Sequence, residues 1–183
     1  HKYPNHSVLG VIRPTAEVIG SFSETKHIGV MGTRGTVNSE SYPIEIEHFF
    51  FFFKVHQQAC PMWVPIIENS EHESDGADYF VDKYIKSLLQ QSPEIDCILL
   101  ACTHYPLLIP KIEKYLPSDI QLLTQGEIVA NSLVDYLKRH EEIETKLTKN
   151  AERTYYTSGD TNSFDAHASV FLGKELRSIQ TKM

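Results

Sequence analysis

The feature that most constrains this chain is an alternation. Short apolar runs rich in β-branched residues recur at "VLGVI" (8–12), "HIGVM" (27–31), "KVHQQA" (54–59), "CILLA" (97–101), "IQLLT" (120–124) and "RTYYT" (153–157). Stretches with helical spacing lie between them. Over 73–91 ("ESDGADYFVDKYIKSLLQQ") Ala77, Phe80, Val81, Tyr84, Ile85, Leu88 and Leu89 share one face, and over 127–138 Ile128, Leu133, Val134 and Leu137 do the same. A strand that must return parallel to its neighbour needs a crossover segment, normally a helix, so this order predicts an α/β fold with a mainly parallel sheet covered on both faces. In such sheets function gathers at the loops that leave the carboxyl ends of the strands. Polar motifs follow the runs at 27–31, 54–59 and 97–101, and their coincidence points to one site.

Composition narrows the class of function. The 183 residues are 41% hydrophobic and 22% charged, with a formal net charge of -7. Lys and Arg do not cluster, which argues against a nucleic-acid partner. No apolar stretch approaches the roughly 20 residues of a membrane-spanning helix, and "HKYPNHSVLG" lacks the regions of a secretory signal. Cys60, Cys97 and Cys102 form an odd set without disulfide-framework spacing, as expected in the reducing cytoplasm. Asn5-His6-Ser7 matches a glycosylation acceptor, a chance match in that compartment. With no His-Glu-x-x-His and no Cys-x-x-Cys, no metal site is expected.

Chemistry concentrates in "ILLACTHYPLL" (98–108). A core strand gains nothing from the polar cluster that ends it. Pro106 suits the first turn of a following helix. Cys102 is therefore expected near a helix N-terminus, where the dipole lowers the thiol pKa from its usual value near 8.5. His104 is its nearest proton partner. In "GTRGTVNS" (32–39), Gly32 and Gly35 permit a tight turn, and Thr33, Thr36 and Ser39 bring hydroxyls and amides that suit a carboxylate; Thr36 or Ser39 serves equally as a helix cap. "ACPMWVPIIE" (59–68), with two prolines and Trp63, is expected as a rigid loop whose Glu68 is placed to meet an ammonium group. Cys60 and Cys97 read as packed side chains. The five phenylalanines at 49–53 read as a core patch under a turn or as a contact surface, and 140–152 reads as an exposed connector.

Taken together, "LLACTHYPLL", "GVMGTRGTVNSESY", "CPMWVPIIE" and "GEIVANSL" resemble, in the same order, motifs of the glutamate racemases of the aspartate/glutamate racemase superfamily. The resemblance runs from about Val8 to Gly173. It implies flavodoxin-like domains and a cofactor-independent enzyme that supplies D-glutamate for peptidoglycan. Two cysteines flank the substrate α-carbon, one for each face, because a base on one side cannot reprotonate the other. Carried over by motif, Cys102 is the acid/base that deprotonates L-glutamate. His104 assists it, and Thr103, His104, Thr33 and Thr36 bind substrate. The intact enzyme is expected to be a cytoplasmic homodimer.

The chain departs from that pattern in lacking the Asp-Ser-Gly start and the Cys-Asn-Thr motif of the first cysteine. It is therefore expected to be truncated, with 1–24 ending the first domain, 25–125 forming the second domain around Cys102, and 126–183 returning to the first. Racemisation by the chain alone is expected to be very low. Three other readings stay open: an aspartate racemase of the same superfamily, a Cys–His hydrolase with a third orienting residue, and a non-catalytic fragment.

Overall fold

Strand β1, His27–Gly32, is buried at every position, so the fold is organised around it. In a computed structural model that describes residues 8–182, β1 is flanked by β2 (Lys54–Ala59) and β3 (Cys97–Leu100), with β4 (Gln121–Thr124) beyond β3. The order is β2-β1-β3-β4 and every pairing is parallel, with Ile28 opposite both Val55 and Cys97. This bears out the α/β reading. Asn5-His6-Ser7 lies outside the described residues.

Helices cover both faces of the sheet because alternate strand residues point opposite ways. Met31, Ile98 and Leu100 join Trp63, Val81, Ile85, Leu88 and Ile112 in one cluster, under α4 (Trp63–Glu68), α5 (Asp75–Leu89) and α6 (Ile109–Tyr115). Ile28, Val30, Cys97 and Leu99 face the other way and join Ala16, Ile19, Tyr42 and Ile46. These four come from α1 (Ile12–Val18), the 3₁₀ turn that follows it, and α3 (Ser41–Phe49). The helix expected over 73–91 is α5, started by Ser74, whose hydroxyl accepts from the Ala77 amide. All five of its buried side chains belong to the predicted stripe.

Two expectations of local structure fail. "VLGVI" forms no strand: Val8, Leu9 and Val11 are exposed, and α1 begins at Ile12. The segment pairs with neither outer strand of the sheet, β2 or β4. The 59–68 segment is not wholly a loop, since α4 runs from Trp63 through Pro65, whose missing N–H costs nothing in a first turn.

The phenylalanine run divides. Phe50 and Phe53, their rings tilted with centroids 4.9 Å apart, pack against the α1/α3 cluster. Phe50 sits where a side chain on Gly20 would otherwise be, 2.3 Å from the place of an ideal Cβ. Phe51 and Phe52 are exposed.

The described chain falls into two compact units that divide between Tyr136 and Leu137. Helix α7, Gln125–Arg139, matches the predicted 127–138, although Leu133 and Val134 on its apolar face are exposed. The second unit contains the short α8 (Glu141–Glu144), a parallel pair of β5 (Tyr155–Thr157) and β6 (Ser178–Gln180), and α9 (Thr161–Leu172). Asp160 caps α9 through the Ser163 amide, and Gly173 ends it in the left-handed conformation at φ 63°.

Candidate functional site

The strand order determines where the site forms. The crossovers that leave β1 and β3 go to opposite faces of the sheet, so the loops after these adjacent strands part and leave a crevice at their carboxyl ends. Met31 pairs with Leu100, and the Ala101 amide donates to the Met31 carbonyl at 2.8 Å. The polar segment after β1 and Cys102 after β3 are thereby held at one edge. Cys60 leaves β2 at the same edge, its amide donating to the Gly32 carbonyl at 2.8 Å.

On the β1 side, Thr33 accepts the Thr36 amide at 3.2 Å and starts the five-residue helix α2, Arg34–Asn38. Thr33, rather than Thr36 or Ser39, is thus the cap. The Thr33 and Thr36 hydroxyls lie 3.0 Å apart and half-buried. Gly32 permits this approach, since a Cβ there would come within 3.0–3.1 Å of the Thr36 side chain.

On the β3 side, Cys102 is half-buried, and its Sγ lies 3.9 Å from His104 Nδ1. The other imidazole nitrogen, Nε2, lies 3.2 Å from Glu68 Oε1. An ionised carboxylate only accepts, so Nε2 carries the hydrogen and Nδ1 presents its lone pair to the thiol. The carboxylate foreseen as a partner for an ammonium group faces His104. Thr103 is exposed beside this chain of contacts. The three groups come from two segments 36 residues apart, joined where α4 ends and the Cys102 loop turns.

The electrostatics differ from the sequence-based expectation. Tyr105–Leu108 is a single 3₁₀ turn with Pro106 in its first turn, running into α6. Its dipole is short. Burial pushes the Cys102 thiol up, the His104 and Tyr105 amides partly offset this, and the Glu68 charge adds to the rise. A thiol raised in this way gives, once ionised, a stronger base than a free cysteine.

Behind the site, Trp63 and Tyr105 are fully buried with ring centroids 4.7 Å apart. The Tyr105 hydroxyl donates to the Cys60 carbonyl at 3.4 Å. Cys60 is 1% exposed and its thiol is driven well up by burial. Cys97 is fully buried in β3 and pushed to about 12, again chiefly by burial. Neither is poised to ionise.

Two residues near Cys102 went unrecognised in the sequence. Tyr42, 2% exposed, is raised first by burial and also by the Cys102 charge, while its bond to Gln125 opposes the rise. Gln125 further donates to Thr15 Oγ1 at 3.2 Å. Tyr42 is hidden among apolar helix positions, and Gln125, the first residue of α7, lies outside the motifs singled out in the sequence. Among the described residues no group of three or more His, Cys, Asp and Glu converges as a metal site, and no helix is long and apolar enough to cross a membrane.

No family model matches the chain. Curated relatives do. The chain is 34% identical over 168 residues to the glutamate racemase of Exiguobacterium sibiricum, covering 90% of this chain and 60% of that protein. It is 35% identical over 168 residues to that of Carnobacterium sp. strain St2, covering 90% and 61%. Among solved structures, a glutamate racemase isoform from Bacillus anthracis superposes with a TM-score of 0.87 at 28% identity, over all of this chain and 67% of that one. The chain thus spans about 60% of the length of the curated relatives it matches.

Proposed function

We propose that this chain, a homologue of the glutamate racemases over the span it covers, supplies one of the two acid–base faces of a cofactor-independent racemase acting on glutamate. The observation that carries this reading is the Cys102–His104–Glu68 chain of contacts at the crevice between β1 and β3. An α-proton is very weakly acidic, so its removal demands a strong base held in line and shielded from water. Cys102 fits that demand. His104 Nδ1 takes the thiol proton, Glu68 stabilises the imidazolium, and the thiolate in its half-buried setting takes the α-proton and later returns one. Thr33, Thr36 and Thr103 are the hydroxyls that bind the substrate's polar groups. D-glutamate for peptidoglycan is the product, the cytoplasm the compartment, and a homodimer the assembly of the whole protein.

Inversion needs a second base on the opposite face, and Cys60 and Cys97 are too buried and too weakly acidic to serve. The test is incubation of the chain with L- and D-glutamate in deuterium oxide. Deuterium at the α-carbon is read by mass spectrometry and inversion by circular dichroism. The expected result is wash-in lost in Cys102→Ala, with little inversion. Absence of wash-in from both enantiomers with folded protein, or wash-in that survives Cys102→Ala, overturns the proposal.

A further inference from the structure

We propose that the same chain of contacts makes this protein a thiol esterase toward small carboxylic esters, with Cys102 as nucleophile, His104 as proton carrier and Glu68 as the positioning residue. This activity does not rest on glutamate being the substrate. It requires only groups that this chain itself provides.

The geometry is that of a nucleophile, a base and an orienting group in series. Sγ lies 3.9 Å from Nδ1, and Nε2 lies 3.2 Å from the Glu68 carboxylate. The carboxylate holds the tautomer in which Nδ1 is the acceptor, the one state that can draw the proton from sulfur. The His104 amide is directed at the sulfur. With the Tyr105 amide, which also bonds the sulfur, it is a donor within reach of an acyl group formed there, where negative charge develops during acyl transfer. Cys60 and Cys97, 1% and 0% exposed, do not compete for the reagent. Cys102 is only half-buried, so a short acyl group reaches it.

The steps balance with water as the sole co-reactant. The thiol proton passes to Nδ1, sulfur adds to the ester carbonyl, and the carbon–oxygen bond breaks as the alcohol departs with the proton from Nδ1. A thioester on Cys102 remains. Water then gives a proton to Nδ1 and adds to the thioester carbonyl. The carbon–sulfur bond breaks, and the thiolate regains the proton as the carboxylic acid leaves. The net reaction is ester plus water to acid plus alcohol.

The experiment uses the full chain and p-nitrophenyl acetate, with release of nitrophenolate followed over time and intact mass recorded alongside. The expected course is a burst near one equivalent per chain, an acetyl adduct mapped to Cys102, and then sustained turnover. Cys102→Ala abolishes the burst, and His104→Gln slows acylation by about 100-fold or more, the contribution typical of general acid–base groups. Glu68→Gln lowers the rate and displaces its pH profile, whereas Glu68→Asp restores most of it, a pattern that a purely structural role does not produce. Stoichiometric acylation without turnover overturns the esterase assignment. So does release unchanged in Cys102→Ala or His104→Gln, both confirmed folded by circular dichroism. Because no amino acid enters the assay, its failure leaves the deuterium wash-in experiment unaffected.

Discussion

Gly29→Ala tests how tightly the central strand is held. Gly29 pairs with His56 on one side and Ile98 on the other, so β1 has no free edge along which to shift. An ideal Cβ at Gly29 would lie 2.8 Å from Leu88 Cδ2, 3.0 Å from Ile98 Cγ1 and 3.4 Å from Ile95 Cγ2. Carbon atoms prefer roughly 3.5–4.0 Å, so the nearest contact falls short by about 0.7 Å or more. Leu88 and Ile98 are fully buried in one cluster, so making room requires their side chains to shift against packed neighbours. Overpacking of this kind costs about 1–3 kcal/mol, and the stiffer unfolded chain of alanine returns about 0.4–1 kcal/mol. The net expectation is a loss of roughly 1–2 kcal/mol.

The assay is urea denaturation followed by the fluorescence of Trp63, the single tryptophan, which lies in the same cluster as Leu88. Leu88→Ala alone is expected to cost about 2–5 kcal/mol by leaving a cavity. In the double variant the new methyl occupies part of that cavity, so the two losses should fall short of their sum by about 1 kcal/mol. A Gly29→Ala protein as stable as wild type, or strictly additive losses, would refute the packing argument.

Two further outcomes follow from burial. Cys97 is pushed to about 12 in the folded chain, above the roughly 8.5 of an unfolded cysteine. The folded state therefore holds more protons between these values, and stability present below the unfolded pKa is lost as pH rises through that window. Urea titrations at pH 8, 9 and 10 should show this decline, and Cys97→Ala should flatten it by up to about 1.4 kcal/mol per pH unit. A flat wild-type profile contradicts the expectation. In the phenylalanine run, Phe51→Ser and Phe52→Ser should leave stability within about 0.5 kcal/mol while reducing light scattering on concentration. Phe50→Ala, which vacates the contact with Gly20, should cost on the order of 3 kcal/mol. Equal effects at the three positions would contradict the division of the run.

What the sequence by itself determined is what local periodicity can carry. The runs at 27–31, 54–59, 97–101 and 120–124 became β1 to β4; the central β1 and β3, buried throughout, read as unbroken hydrophobicity, while β2 and β4 are edge strands and only partly buried. The stripe over 73–91 became α5, because residues three and four apart share a helix face. These elements place the "GTRGT" and "CTHYP" loops at the carboxyl ends of adjacent strands, and that adjacency was legible in the sequence.

Tertiary structure decided the rest. Glu68 and His104 are 36 residues apart, and only the packing of α4 against the turn after β3 brings them together. The Cys102 thiol is raised rather than lowered because burial outweighs the dipole of a single 3₁₀ turn, and burial is not a property of a motif. Val8 to Val11 have strand composition but no strand, since a strand exists only where a partner pairs with it, and composition does not supply the partner. The five identical phenylalanines differ only in what faces them, which is why Phe50 and Phe53 pack against the core while Phe49, Phe51 and Phe52 are exposed.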